Sequence, residues 1–380
     1  MNPRMSRVVH FVLDQKFIDD AISIFDRLPG IQNEYLLVGH AGKISQISAR
    51  ERITLFGSQF ARLRHTFMQK PDIIIFHSLF FGASLVPLVS RHAAVVWISW
   101  GQDLYKDAAD AFTSSYPMRY SLFMRETRKW IQSHENSFKS RARKAIKSIV
   151  RNVFRSWAIR RTGYISTCLP YEYPIIKQKY PHLARFDFDY IDKTAVELPR
   201  CNGFSILVGN SASINCNHLD IIRVLADRNL KAATVIAPLS YAGSKDYVAA
   251  VIQEGKRTFG DKFLPLVSFM AIDEYTRLLR SCGNAVMGFL RQQATKNIQL
   301  LLYQGTKIFF YRNTDIFEFF KESGFSVFSI EDDLTDSALS SALSDEQVNK
   351  NQRLLAREFD FDGNLSRVGK SIKEILARRN

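Results

Sequence analysis

Short apolar runs alternate with stretches of helical spacing along the whole chain. In the first half, runs rich in β-branched residues predict six strands, and the apolar residues between them recur at helical intervals. The predicted strands are Arg7–Leu13, Glu34–Gly39, Arg52–Phe56, Asp72–His77, Ala94–Ser99 and Gly163–Cys168. Strands that alternate with helices are typical of a parallel sheet covered by helices on both faces.

The same alternation restarts in the second half, after an irregular stretch over residues 181–202. Strands are predicted at Phe204–Val208, Ala232–Ala237, Lys262–Leu266, Ala285–Phe289 and Lys307–Phe310. We therefore expect an α/β protein of two Rossmann-like doubly wound domains, residues 1–195 and 196–380, which face a cleft. A long charged helix from about Glu346 to Arg379 ends the second domain and is expected to pack back on the first.

Composition narrows the class of protein. A chain of 380 residues with 46% hydrophobic content can bury two cores, and its net charge of +15 favours anionic partners. Four scattered cysteines without a C-x-x-C pair argue against a zinc site and a disulfide framework. Ile73–Ser90 lacks charged residues. Its β-rich start ends at His77, and this change in residue pattern favours a strand, a loop and a helix over a membrane span.

One stretch, residues 138–161, is strongly basic. It contains nine Lys or Arg residues and no acidic residue, and its apolar residues recur at helical spacing. The pattern predicts an amphipathic helix that contacts an anionic membrane surface. The alternative is an ordinary helix that packs its apolar stripe on the sheet. The residues predicted to contact the membrane are Lys139, Arg143, Lys147, Arg151 and Trp157.

Two loops of the second half favour an anionic ligand. Gly209, Asn210 and Ser211 form a turn between a strand and a helix, where a glycine allows close approach and helix N–H groups attract anions. Arg291, which follows another strand, precedes a helix start near Thr295. An arginine at a helix start is electrostatically unfavourable unless an anion binds there. Arg291 could form two parallel hydrogen bonds with a diphosphate.

Further polar residues follow other strand ends. Gln292 and Gln293 add hydrogen-bonding groups beside Arg291, while Ser240 and Tyr241 follow the neighbouring strand, where the tyrosine either stacks on a ligand or packs at the rim. In the first half, Asp14, His77 and Asp103 all fall at strand ends and are candidate catalytic residues. Asp103 is the preferred general base, with helix capping as the equal alternative.

The sequence contains no H-E-x-x-H, P-loop or G-x-S-x-G motif. Asp187-Phe188-Asp189 matches the D-x-D motif that binds a metal in some sugar transferases, but it lies in an interdomain segment and can arise by chance. We expect neither a metal nor another cofactor.

Three stretches resemble the N-acetylfucosaminyltransferases of enterobacterial common antigen synthesis, glycosyltransferase family 56. They are Ile206–Ser211, Trp100–Tyr105 and Arg291–Gln293 with the helix that follows to Gly305. The resemblance covers most of the chain, with gaps. Ala294 to Asn297 stand where the family pattern has glycines, and the basic helix looks like an insertion.

The resemblance implies a GT-B fold, with a nucleotide sugar in the second domain and the acceptor in the first. It implies a nucleoside-diphosphate sugar donor, with dTDP as the favoured nucleotide, and a polyprenyl-diphosphate-linked glycan acceptor at the cytoplasmic face of the inner membrane. The nearest alternative is a GT-B transferase acting on O-antigen or capsule intermediates. An alternative of another class is a basic nucleic-acid-binding protein, which the two α/β domains disfavour.

Overall fold

The computed structural model describes residues 5–38, 44–79, 93–107, 124–134, 155–191, 199–230 and 233–379. The strands are β1 (Ser6–Val12), β2 (Ile31–Leu37), β3 (Ile53–Thr54), β4 (Ile73–His77), β5 (Ala94–Ile98), β6 (Tyr164–Ser166), β7 (Ala184–Arg185), β8 (Ser205–Val208), β9 (Val235–Pro238), β10 (Phe263–Leu266), β11 (Cys282–Met287), β12 (Lys307–Phe310) and β13 (Phe328–Ser329). The helices are α1 (Ile18–Phe25), α2 (Gln59–Gln69), α3 (Gly101–Asp107), α4 (Arg125–His134), α5 (Glu172–Lys179), α6 (His218–Ala226), α7 (Lys245–Phe259), α8 (Ile272–Leu279), α9 (Thr295–Gln304), α10 (Asp315–Glu322), α11 (Asp336–Leu339), α12 (Asp345–Glu358) and α13 (Phe361–Ala377). Residues 155–161 are also helical.

The chain divides into two compact units. Unit 1 comprises residues 1–115, 137–195 and 359–380, and unit 2 comprises residues 116–136 and 196–358. The division differs from the expected one in two segments, because residues 116–136 lie in unit 2 and residues 359–380 lie in unit 1.

Unit 1 contains a sheet in the order β3-β2-β1-β4-β5-β6-β7, and every pair in it is parallel. Its inner strands are buried on both faces, which explains why β4 and β5 consist almost entirely of apolar residues. Unit 2 contains a parallel sheet in the order β10-β9-β8-β11-β12-β13, the doubly wound arrangement with the first strand in the middle. The predicted α/β class with two doubly wound sheets is confirmed.

The prediction of a single long helix over residues 346–379 is wrong. The structure has two helices there, α12 in unit 2 and α13 in unit 1. Asp360 separates them, because its carboxylate accepts hydrogen bonds from the N–H groups of Asp362 and Gly363 and so starts a new helix. In unit 1, α13 buries Phe361, Val368 and Ile372 in the core beside α1.

None of the helices in the described part of the chain has the length and apolar character needed to cross a membrane. Ile73–His77, the start of the uncharged segment, is the sheet strand β4, as predicted. The remainder of that segment from residue 80 to residue 90 lies outside the described residues.

Candidate active site

The turn after β8 requires a glycine. Gly209 has a φ of +67°, in the left-handed region that side chains disfavour. A Cβ there would come within 3.0 Å of the His218 Nε2 atom and 3.1 Å of the Cys216 Cβ atom. The backbone therefore passes closely over the start of α6.

A hydrogen-bond network joins three loops that follow β8, β9 and β11. Gln293 donates through Nε2 to the Asn210 side-chain oxygen at 2.8 Å and to the Cys216 sulfur at 3.1 Å. Asn210 in turn donates through Nδ2 to the Tyr241 hydroxyl at 3.3 Å, and that hydroxyl donates to the Asn210 carbonyl at 3.2 Å. Asn210, Tyr241 and Gln293, which lie far apart in sequence, thus meet at the carboxyl edge of the unit 2 sheet.

The loop before α9 carries the remaining predicted donor-site residues. Arg291 is only 8% exposed, and its Nη1 atom donates to the Gln292 carbonyl at 2.9 Å. Gln292 donates through Nε2 to the Thr295 hydroxyl. No side chain caps the start of α9. Ser240, which is half-buried, precedes Tyr241 in the β9 loop.

Ala294 occupies a conformation that suits glycine. Its φ of +60° and ψ of 28° lie in the left-handed region, at the residue that begins α9. A Cβ in this region costs about 1 kcal/mol or more.

We expect Ala294→Gly to leave the fold intact and to stabilise unit 2 by up to about 1 kcal/mol, since strain is removed and part of the gain is offset by the freer unfolded chain. Urea unfolding measures the difference. Ala249→Gly, at an exposed position inside α7, is the control and should destabilise by about 1 kcal/mol. Equal destabilisation by both variants would contradict the assigned conformation.

His218, which the sequence did not single out, lies buried beneath the Gly209 turn. Its Nδ1 atom lies 3.3 Å from the Tyr247 hydroxyl, which also accepts the His218 backbone N–H. The Thr127 side chain also forms a hydrogen bond with this hydroxyl. Within the described residues Nε2 has no hydrogen-bond partner, and burial lowers the His218 pKa to about 4, so the ring is neutral at pH 7.

Two buried side chains, also missed, tie α4 into unit 2. The Asp220 carboxylate accepts the N–H groups of Glu126 and Thr127 and so caps α4. Asn217 accepts the Met124 N–H at 3.1 Å and donates to the Gly288 carbonyl at 2.7 Å. A single-sequence pattern cannot show contacts across some ninety residues, which is why residues 116–136 were expected in the first domain.

Asp103, the preferred general base, is buried in unit 1 with both oxygens occupied. One oxygen accepts from the N–H groups of Trp100 and Leu104, and the other from the Leu79 N–H and the Trp97 indole. Burial raises the Asp103 pKa to about 6, although these donors oppose the shift. The geometry favours the capping alternative, because the carboxylate joins the loops after β4 and β5.

His77, the last residue of β4, belongs to a buried hydrogen-bond chain. Its Nε2 atom lies 3.1 Å from His10 Nδ1, and its Nδ1 atom lies 2.7 Å from the Tyr190 hydroxyl. His10 Nε2 lies 3.2 Å from the Asn33 side-chain oxygen, and the Trp100 indole donates to Tyr190 at 3.0 Å.

The groups at the two ends of this hydrogen-bond chain determine which ring nitrogen of each histidine carries the proton. The Asn33 amide nitrogen donates elsewhere, to the Phe25 carbonyl, so its oxygen must accept from His10 Nε2. His10 Nδ1 then accepts from His77 Nε2, and His77 Nδ1 accepts from Tyr190. Both rings are neutral, because burial lowers the His10 pKa to about 4 and moves the His77 pKa well below its usual range.

The neutral His10 ring makes unit 1 sensitive to acid. Its pKa is 6.5 unfolded and about 4 folded, so the unfolded chain binds the proton first as pH falls. Between pH 7 and pH 5 the His10 ring alone is expected to remove about 2 kcal/mol from the free energy of unfolding. Urea unfolding at both pH values should show a loss about 2 kcal/mol smaller for His10→Gln; an equal loss would contradict the assignment.

Asp14, the third candidate catalytic residue, holds a loop. Its carboxylate accepts the N–H groups of Ser45, Gln46 and Ile47 and the Ser45 hydroxyl. These donors lower the Asp14 pKa although burial opposes them, so the group is a weaker base than an ordinary aspartate.

The predicted membrane helix is described only at its end. Trp157 is 44% exposed, and the Arg161 guanidinium lies 6.0 Å from the centre of its ring. Lys139, Arg143, Lys147 and Arg151 lie outside the described residues. The described residues hold no group of three or more potential metal ligands, and Asp187 of the D-x-D motif pairs with Arg185.

Comparison with known proteins matches part of the chain to a glycosyltransferase family. Residues 183–357 match the family model described as 4-alpha-L-fucosyltransferase, glycosyl transferase group 56, which confirms the family that the sequence resembles. This range includes the Gly209, Tyr241 and Arg291 loops.

Solved glycosyltransferases share the fold, which confirms the GT-B class. Sucrose-phosphate synthase from Thermosynechococcus elongatus matches with a TM-score of 0.67 and 8% identity, covering 98% of this chain and 100% of that one. Anabaena HepE, solved in complex with UDP and glucose, matches with a TM-score of 0.60 and 12% identity, covering 97% and 100%. The lipopolysaccharide outer core galactosyltransferase WaaB matches with a TM-score of 0.53 and 9% identity, covering 98% and 100%.

Proposed function

We propose that this glycosyltransferase, whose residues 183–357 match group 56, transfers an amino-deoxy sugar such as N-acetylfucosamine to a polyprenyl-diphosphate-linked glycan. The donor would be a nucleoside-diphosphate sugar, with dTDP as the favoured nucleotide, and the product would enter bacterial surface polysaccharide synthesis. The observation that carries the proposal is the convergence of Asn210, Tyr241 and Gln293 beside Arg291 at the carboxyl edge of unit 2.

The donor diphosphate would lie against the Gly209 turn and the start of α9. The Gly209 turn follows the carboxyl end of β8, and the uncapped α9 N-terminus supplies N–H groups and a favourable dipole. Arg291 would form charge-assisted hydrogen bonds with the diphosphate. As the sugar leaves, negative charge grows on the diphosphate, and these fixed donors stabilise it.

Tyr241 would lie against the base or sugar of the donor. Its ring is exposed, while its hydroxyl is hydrogen-bonded to Asn210. These hydrogen bonds restrict the side chain to one orientation with its aromatic face towards solvent. Such a face binds planar or sugar rings with little loss of side-chain entropy. Ser240, Gln292, Gln293 and Thr295 complete the proposed donor site.

The choice of donor and acceptor draws on two sources. The family description supports a fucose-like donor sugar, while the UDP in HepE shows only that a protein of this fold binds a nucleoside diphosphate. The dTDP group and the polyprenyl-diphosphate acceptor come from the resemblance of the three sequence stretches. We place the enzyme peripherally at the cytoplasmic face of the inner membrane, with Trp157 near the headgroups.

The acceptor would bind at the carboxyl edge of unit 1. Asp103, His77 and Asp14 all lie there, but each already accepts hydrogen bonds from protein donors. We therefore assign them a positioning role, in which they hold Trp100 and the surrounding loops. Proton removal from the acceptor hydroxyl is assigned to none of the three.

A nucleotide-binding screen tests the donor proposal. Thermal unfolding is followed with dTDP, UDP, GDP, CMP and ADP, with and without magnesium, because ligand binding to the native state raises the melting temperature. We expect a selective, metal-independent shift with dTDP. A shift with UDP or GDP instead would favour the O-antigen or capsule alternative, and salt-sensitive binding to nucleic acid without any nucleotide shift would overturn the proposal.

A further inference from the structure

The helix α2 exposes an unusually apolar face in unit 1. Phe60 is 78% exposed and Met68 is 69% exposed, and Phe67 beside Met68 is also exposed. At 100° per residue these three side chains fall within a sector of about 100° of the helix surface, while Arg62 and Thr66 lie buried on the opposite side. The helix therefore turns its two phenylalanines outward, the reverse of an ordinary surface helix.

The charge around this stripe is positive. Arg64 lies within it, Lys70 follows the helix, and α2 contains no acidic residue. Beyond its end, a hollow of about 390 Å³ is lined by Met5, Arg7, Gln32, Met68, Gln69 and Lys70.

Two acidic groups next to α2 accept hydrogen bonds from the protein itself. The Glu34 carboxylate lies 2.6 Å from His65 Nε2, and the Asp72 carboxylate accepts the Arg7 backbone N–H at 2.9 Å. Among the described residues neither Arg64 nor Lys70 has a salt-bridge partner. An exposed apolar stripe flanked by these two cations is complementary to a bilayer that contains anionic lipids.

The topology places a further exposed aromatic residue, Trp157, on the same side of the sheet as α2. The chain moves from β1 to β3 in one direction along the sheet, and from β3 to β4, β5 and β6 in the other. Because crossovers between parallel strands are right-handed, α2 and helical residues 155–161 fall on the face opposite α1. Trp157, with Arg161 near its ring, therefore lies on the α2 side.

We infer that the exposed face of α2 is a membrane-docking surface, which inserts Phe60, Phe67 and Met68 at the headgroup level of an anionic bilayer. Arg64 and Lys70 meet the lipid phosphates. The inference rests on the proposed function, because a lipid-linked acceptor places the reaction at a bilayer. It is independent of the basic segment before residue 155 and adds a separate contact.

Sedimentation of the full chain with lipid vesicles, without donor or acceptor, tests the inference. Vesicles of phosphatidylcholine with phosphatidylglycerol are compared with phosphatidylcholine alone. The triple variant Phe60→Ser, Phe67→Ser, Met68→Ser should partition at least about tenfold more weakly onto the anionic vesicles. Because all three side chains are exposed, the fold should be kept, and circular dichroism and the melting temperature check this.

Two further variants sharpen the test. The matched control Phe204→Ser, Val267→Ser, Phe269→Ser removes three exposed apolar side chains of unit 2 and should bind as wild type. Arg64→Glu with Lys70→Glu should weaken binding to the anionic vesicles only. Vesicle binding of the α2 triple variant equal to that of wild type would overturn the inference. If the same variant abolished self-association, the stripe would be an interface between copies of the chain.

Failure of the inference and failure of the proposed function give different results. The nucleotide screen reports only on unit 2 and should be the same for wild type and the α2 variant. Unchanged vesicle binding with a normal dTDP shift would reject the docking surface alone, while loss of the dTDP response in wild type would reject the donor proposal alone.

Discussion

Arg291→Ala is expected to lower kcat/KM for the donor by about 10²- to 10³-fold. The guanidinium is nearly buried and lies beside the uncapped start of α9, where it would neutralise charge that grows on the leaving diphosphate. Since the interaction strengthens in the transition state, kcat should fall at saturating donor as well as at limiting donor. Steady-state kinetics of sugar transfer with varied donor measure both constants.

Two controls accompany this experiment. Arg291→Lys keeps the charge but loses the bidentate geometry, so its activity should lie between those of wild type and Arg291→Ala. Arg312→Ala removes an exposed arginine of the same unit that pairs with Asp332, and its kinetics should be those of wild type. Unchanged turnover by a folded Arg291→Ala enzyme at all donor concentrations would show that the donor diphosphate binds elsewhere.

Asp103→Ala is expected to destabilise unit 1 by about 3 kcal/mol or more. The change leaves four N–H groups, those of Leu79, Trp100, Leu104 and the Trp97 indole, without their acceptor. A buried donor that loses its partner costs about 1–3 kcal/mol, and the loops after β4 and β5 also lose their connection. Urea unfolding at pH 7 gives the difference.

A surface aspartate provides the comparison. Asp187 pairs with the exposed Arg185, so Asp187→Ala should change the free energy of unfolding by less than about 1 kcal/mol. If Asp103→Ala were as stable as wild type but catalytically dead, Asp103 would be the general base, and the positioning role would be wrong.

The sequence predicts most of the strands because both sheets are parallel and buried on both faces. Lys307–Phe310 is predicted with its observed bounds, since such strands appear as uninterrupted apolar runs. The two-residue strands Ala184–Arg185 and Phe328–Ser329 are missed, because pairing in the sheet, and not a local pattern, defines them. The break at Asp360 is missed because the helical spacing continues through it.

The sequence predicts the grouping of Asn210, Tyr241 and Gln293 better than it predicts the surroundings of Asp103 and His77. Strand ends of a parallel sheet share one edge, so Asn210, Tyr241 and Gln293 could be placed together without knowing their contacts. The roles of Asp103 and His77 depend on which groups pack against them, and no local pattern contains the pairing of His77 with His10. His218 is not predicted from the sequence, because only the folded structure brings Gly209 into close contact with its ring.

Direct sugar transfer tests the central claim. Purified enzyme is given a dTDP-linked N-acetylfucosamine donor and a polyprenyl-diphosphate-linked glycan in detergent or vesicles, and mass spectrometry follows the acceptor. We expect an acceptor heavier by one amino-deoxy sugar, with release of dTDP, and no such product from Arg291→Ala at limiting donor over the same time. An acceptor left unmodified by this donor but extended by a UDP- or GDP-linked sugar would contradict it.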